Sequence, residues 1–222
     1  MRVFMTGGNG GIGSAIKQKF IKEGYNVVAP SSAELDLSDS EKIKQWFEKN
    51  GNHFDVIVHS AGYNNPLSIE NMNIEEFNRT QNINLTSLLI ISQQILPYFK
   101  KAEQGYIVGI GSLYAGISRE DRVAYTSSKH ALVGMIQTMA LEFGKYNVLC
   151  NTVSPGYVDT KMFRTNNSEE KRAYLASKIP LKRLATPEDI AETVYFLAGP
   201  QNRYINGQEI IVDGGFMAGS FQ

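Results

Sequence analysis

A chain of 222 residues can bury one large core, and an alternation of strands and helices keeps a domain of this length whole. With 42% hydrophobic residues, 20% charged residues and zero formal charge, the composition excludes disorder and gives no electrostatic reason to recruit nucleic acid or an anionic membrane. No apolar run approaches the roughly 20 residues that span a bilayer, and MRVFMTGG enters a glycine loop without a cleavable apolar segment. Cys150, the one cysteine, excludes an intrachain disulfide and reads as a buried, inert thiol in NVLCNTVSP. The expectation is a single domain over 1–222 in the reduced cytoplasm, with no membrane or nucleic-acid partner.

Residues 2–6 read as a buried strand, TGGNGGIG follows, and Ala15, Ile16, Phe20 and Ile21 then recur at helical spacing as far as Gly24. Strand, glycine loop and helix together form a dinucleotide site: the glycines let the backbone approach a pyrophosphate, and the helix N-terminus meets its charge. Three spacings fit. Gly8, Gly10 and Gly13 match GxGxxG, Gly7, Gly11 and Gly13 match TGxxxGxG, and Gly7, Gly10 and Gly13 match TGxxGxxG.

A second strand over 25–29 ends at Pro30, Ser31 and Ser32, where an NAD site usually carries an acid for the ribose 2′-hydroxyl. Glu34 is the first acid and falls in a loop. Hydroxyls without a carboxylate tolerate a 2′-phosphate, which leans the reading to NADP(H), with NAD(H) also admitted. No room is left for a crossover helix before Asp36-Leu37, and Ser38 is expected to cap a helix over 39–49.

FDVIVHSAG (54–62) reads as a third buried strand, with His59 a core or cofactor-edge histidine rather than a metal ligand. No metal site is expected. A long helix over 74–100 buries a broad apolar surface that includes the amide of Asn84, and Pro97 should end it. A strand over 106–112, a helix over 122–143 and a strand over 147–154 follow. Pro155 and Gly156 turn the chain at the carboxyl edge of the sheet. Residues 161–183 are polar, weakly periodic and consistent with a mobile substrate lid. Thr186-Pro187-Glu188 starts a helix to Leu197, and Glu209 to Val212 is the last strand. The pattern is α/β, a doubly wound parallel sheet with helices on both faces.

The chemistry concentrates in Tyr106–Lys129. Tyr-x-x-x-Lys occurs three times, as Tyr125/Lys129, Tyr157/Lys161 and Tyr174/Lys178, so the motif alone means little. Only Tyr125/Lys129 opens a strong helix directly after a strand, with Ser112 upstream, and positions i and i+4 share a helix face. A free phenol, near pKa 10, is a poor base at neutral pH. A fixed ammonium at about 4 Å is worth up to roughly 4 kcal/mol at an effective dielectric near 20, which would lower the phenol by as much as about three units. Such a group suits proton transfer at a carbinol oxygen, with Ser112 holding that oxygen by hydrogen bond.

These residues carry a resemblance. The chain resembles the short-chain dehydrogenase/reductase family along nearly its whole length, in TGGNGGIG, SAG at 60–62, INL around Asn84, Ser112, YTSSK, PGYVDT and PLKRLATPEDIAETVYFL…INGQEIIVDGG. The last run is especially similar to bacterial 3-oxoacyl-carrier-protein reductases and related carbohydrate dehydrogenases. The resemblance implies a Rossmann-type sheet of about six or seven strands. It also implies an NAD(P)(H)-dependent oxidoreductase that interconverts a carbonyl and an alcohol. Ser112 would polarise the carbonyl, Tyr125 transfer the proton, Lys129 lower the Tyr125 pKa and bind the nicotinamide ribose, and Asn84 hold a water linking Lys129 to solvent. By the same resemblance the cofactor meets Gly7, Asn9, Gly10, Gly11, Ile12 and Gly13, then Ser31, with Asp36 and Leu37 at the adenine. Ser60, Ala61, Gly62, Pro155, Gly156, Val158 and Thr160 complete its site, the last two against the carboxamide and phosphates. A homo-oligomer, tetramer or dimer, is also implied, joined through the helices around 74–100 and 122–143.

The chain departs from the family pattern in His59-Ser60-Ala61-Gly62, where Asn-Asn-Ala-Gly is usual. It also departs in the absent crossover helix after residue 30, which resembles a longer sugar-nucleotide branch. Two other functions compete with the carbonyl reductase: a sugar or nucleotide-sugar dehydrogenase or dehydratase, and a non-catalytic dinucleotide-binding regulator. The regulator has no need of the serine, tyrosine and lysine.

Overall fold

The computed structural model describes residues 1–219. Its centre is a six-stranded, wholly parallel sheet in the order β2-β1-β3-β4-β5-β6. The strands are β1 (Arg2–Thr6), β2 (Asn26–Val28), β3 (Val56–His59), β4 (Gly105–Ile110), β5 (Val148–Pro155) and β6 (Glu209–Val212). Alternate side chains supply opposite faces. Val3, Met5, Val56, Val58, Tyr106 and Val108 pack on one side with Ile16, Phe20, Ile190 and Val194 of helices α1 (Gly11–Lys22) and α8 (Pro187–Leu197). Phe4, Ile57, Ile107 and Cys150 pack on the other with helices α2 (Ser40–Asn50), α4 (Ser87–Ala102) and α5 (Val123–Phe143). Cys150 is a buried free thiol, as its sequence context suggests.

The strand order reverses between β1 and β3, so the loops leaving these two strands flank a crevice at the carboxyl edge, where ligands bind in open α/β sheets. Without a crossover helix after residue 30, β2 is three residues long and forms the sheet edge, and the chain returns over β1 through α2.

Local chemistry shifts several boundaries. The cap of α2 is Asp39, whose side chain accepts the N–H groups of Glu41 and Lys42, and not Ser38. Ser38 is instead held by Asp36, which accepts both its N–H (3.0 Å) and its hydroxyl (2.6 Å). The 74–100 helix is α3 (Ile74–Gln81), a π-helical turn over Asn82–Thr86, and then α4. Pro97 does not stop α4, which runs to Ala102, because the exposed proline is followed by Phe99, fully buried under Gly105. The expected structure-poor lid holds two short helices, α6 (Lys161–Asn166) capped by Thr160 and α7 (Glu169–Lys178) capped by Ser168. A capping box between Thr186 and Asp189, with Pro187 in the first turn, starts α8.

Candidate active site

The loop after β1 is built for close approach. Gly7 sits at φ +70°, in the left-handed region, and its α-carbon faces the Ala61 backbone so closely that a Cβ there would lie 2.6 Å from the Ala61 nitrogen. A Cβ on Gly13 would overlap the Gly7 carbonyl oxygen, and one on Gly11 would lie 2.8 Å from the Thr160 methyl. Gly10 meets nothing closer than 3.4 Å. Of the three spacings that fit the sequence, sterics therefore select Gly7, Gly11 and Gly13. Asn9 and Gly10 are exposed at the loop tip, and Ile12 packs partly into the core. Gly10 at the α1 N-cap supplies no side-chain bond, and no acid lies in the first turn, so the positive helix end is left to a ligand. This cradle fits a dinucleotide pyrophosphate.

The ends of β3 and β5 close round it. Ser60, Ala61 and Gly62 follow β3, and the Ala61 N–H donates to the Thr6 hydroxyl at 3.2 Å. Gly156 leaves β5 with its N–H on the Val212 carbonyl, and its α-carbon is crowded by Asp213. Val158 is buried and bridged to Ala185, while the Thr160 hydroxyl caps α6 by accepting from Phe163. At the end of β2, the Glu34 carboxylate accepts both the N–H and the hydroxyl of Ser31 at 2.8 Å, and these bonds pull its pKa down. The Lys17 side chain lies over Gly8 beside Ala29. Neither neighbour is evident from the order of residues. Asp36 turns to Ser38 and Lys42, and Leu37 is partly buried against the α2 side of the core.

Ser112, Tyr125 and Lys129 come together as expected. Ser112 follows β4 and accepts the Tyr114 N–H at 3.2 Å. Lys129 is 3% exposed; its ammonium donates to the Ile110 carbonyl at 2.7 Å, lies 5.5 Å from the Tyr125 ring centroid, and would stand 3.9 Å from a Cβ on Gly62. Burial pushes Lys129 down to about 8. The Tyr125 phenol is raised, not lowered: burial dominates, a hydrogen bond from Ser112 opposes it, Tyr114 adds to it and Arg122 opposes it again. Desolvation of the buried phenol outweighs the groups that would lower it.

Asn84 lies fully buried in the π-turn. Its Oδ1 accepts the Tyr63 N–H at 2.7 Å, and its Nδ2 donates to the Tyr63 carbonyl and the Ser128 hydroxyl, both at 2.9 Å. One Oδ1 lone pair remains for a water. The other two Tyr-x-x-x-Lys pairs lie elsewhere. Tyr157 packs in the loop after β5 against Phe163 and Phe216, and Tyr174 and Lys178 lie on α7 with Tyr174 60% exposed. Among the described residues no group of His, Cys, Asp and Glu could hold a metal ion, and no helix is long and apolar enough to cross a membrane.

A family model described as Enoyl-(Acyl carrier protein) reductase matches residues 29–217. The chain is 34% identical to the 3-oxoacyl-[acyl-carrier-protein] reductase of Mycobacterium bovis, covering 98% of this chain and 93% of that protein. It is 32% identical to the reductase of that name from Buchnera aphidicola, covering 96% and 95%. Among solved structures, a 4-hydroxyisoleucine dehydrogenase mutant complexed with NADH and succinate superposes with a TM-score of 0.92 at 26% identity, over 99% of this chain and all of that one. The ligand-free aldohexose dehydrogenase of Thermoplasma acidophilum gives 0.88 at 28% identity, over 99% and 94%. The chain belongs to the short-chain dehydrogenase/reductase family, as an NAD(P)-dependent oxidoreductase close to the 3-oxoacyl-acyl-carrier-protein reductases.

Proposed function

We propose that the protein interconverts a carbonyl and a secondary alcohol, with Tyr125 as the general acid/base. One observation carries this reading: the Ser112 hydroxyl lies at the Tyr125 phenol, and the buried Lys129 ammonium lies 5.5 Å from the Tyr125 ring centroid and next to Gly62. The nicotinamide, when bound, supplies or accepts the hydride. The chain's own residues handle the proton. Burial keeps the Tyr125 phenol protonated at neutral pH, a donor suited to the carbonyl oxygen during reduction. The Ser112 oxygen already accepts from Tyr114, so its proton can turn to the same oxygen and stabilise the developing charge. Lys129, directed to Ile110, holds the floor of the site and can reach a ribose hydroxyl next to Gly62.

For the coenzyme, the hydroxyls after β2 lean toward NADP(H), but the Glu34 carboxylate on Ser31 suits a ribose hydroxyl and repels a 2′-phosphate. That contact favours NAD(H). The likeness to the reductases at 32–34% identity supports a 3-oxoacyl class of substrate. A sugar substrate is the second reading, favoured by the likeness to the aldohexose dehydrogenase. The test is oxidation of NADH and NADPH with 3-oxoacyl thioesters, set beside NAD(P)⁺ reduction with aldoses. Turnover of a 3-oxoacyl thioester and none of aldoses supports the first reading, and the converse result supports the second.

A further inference from the structure

We infer that His59 is a positioning residue: a neutral imidazole with its proton on Nε2, it braces the π-turn at Ile83–Asn84 against Thr6 and so fixes Asn84 beside the helix that carries Tyr125. The inference rests on the active centre proposed above.

His59 ends β3, in register with Thr6 on one side and Gly109 on the other, and is completely buried. Its Nδ1 lies 2.9 Å from the Thr6 hydroxyl oxygen. That oxygen already accepts the Ala61 N–H, and its own proton has no acceptor among the described residues except Nδ1. A hydroxyl has a single proton to give, so Nδ1 is the acceptor and the proton of a neutral ring stands on Nε2. Nε2 makes no hydrogen bond among the described residues, and the backbones of Asn84 and Ile83 lie beside the ring. An α-helix would tie those carbonyls along its own axis. Here the turn pairs Ser87 N–H with Asn82, five residues back, and the Ser87 hydroxyl takes the Ile83 carbonyl at 2.8 Å. A buried donor beside the Ile83–Asn84 backbone favours this turn.

The consequence travels through bonds. Asn84 grips the Tyr63 backbone and Ser128, and the Ser128 hydroxyl donates to the Tyr125 carbonyl at 2.7 Å. Thr6, at the glycine loop, is thereby linked through His59 and Asn84 to the first turn of α5. Neutrality is secured by burial and then by Lys129, the one charge acting on the ring; together they push His59 down to about 3. Gly109 of β4 presents no side chain there, and Thr6 of β1 carries no charge.

Two measurements on the full chain test this. The protein has three histidines, so ¹⁵N-histidine labelling with the His59→Gln variant for assignment reads each ring directly. The expected result is an Nε2–H tautomer for His59, unchanged from pH 5 to 9; an Nδ1–H tautomer, or titration within that range, overturns the inference. The second measurement compares His59→Gln, whose amide reaches the Nε2 position, with His59→Asn, whose amide reaches only Nδ1. His59→Gln should keep kcat within about threefold, while His59→Asn should lose about 30-fold in kcat with coenzyme affinity, titrated directly, unchanged. Equal kcat in His59→Asn and the parent overturns the inference. The tautomer is read without turnover, so it also decides the matter should the proposed reaction prove wrong.

Discussion

The Lys129 ammonium stands 5.5 Å from the centroid of the Tyr125 ring and 2.7 Å from the Ile110 carbonyl oxygen, with 3% of the residue exposed. A charge held there works against folding. Its pKa falls from 10.5 to about 8, and at about 1.36 kcal/mol per unit this is a cost on the order of 3 kcal/mol. The unfolded chain binds the proton more tightly, so the cost is complete below pH 8 and is relieved as pH rises from 8 to 10.5. Lys129→Met should therefore raise Tm at pH 7, with the gain shrinking across that window, and should abolish turnover. Thermal melts from pH 6 to 10 check the first part and a coenzyme-linked assay the second.

The pair geometry is not what distinguishes the site. Lys178 lies at the same 5.5 Å from the Tyr174 ring on α7, where Tyr174 is exposed. Tyr174→Phe should leave turnover within about twofold of the parent, as surface substitutions generally do.

Gly13 has no room for a side chain because the Gly7 carbonyl oxygen occupies it. Gly13→Ala should push the β1–α1 loop out of its cradle at a cost of about 1–3 kcal/mol, weakening coenzyme binding roughly tenfold or more. Fluorescence titration with NADH measures this, and circular dichroism shows that the fold remains.

Glu34 holds Ser31 where the ribose is expected. Glu34→Gln removes the negative charge without removing the side chain. It should shift the ratio of NADPH to NADH affinity several-fold toward NADPH, as measured by parallel titrations.

The alternation of strands and helices was legible because each buried strand carries β-branched and aromatic residues between turn signals, and α1, α2 and α8 each show an apolar face. Ser112, Tyr125 and Lys129 were legible because order along the chain separates them from the two other Tyr-x-x-x-Lys pairs. What was not legible depends on contacts distant in sequence. Asp36 captures Ser38, and only then does Asp39 become the cap. Burial of Phe99 carries α4 past Pro97, and the shift to a π-turn at Asn82–Thr86 leaves no trace in apolar periodicity. The two lid helices did leave a signal, Thr160 and Ser168 as caps with Glu169 and Glu170 in the following turn, which weak periodicity outweighed. The raised Tyr125 pKa had none, because the sequence places Lys129 beneath the ring without showing how completely the fold buries the phenol.

The central claim is that the Tyr125 phenol moves the substrate proton. Tyr125→Phe keeps the ring and its packing and removes only the hydroxyl, so steady-state turnover of an accepted carbonyl substrate should fall by about 10²–10⁴-fold while NAD(P)H affinity stays within about twofold. Full turnover in Tyr125→Phe would contradict the account.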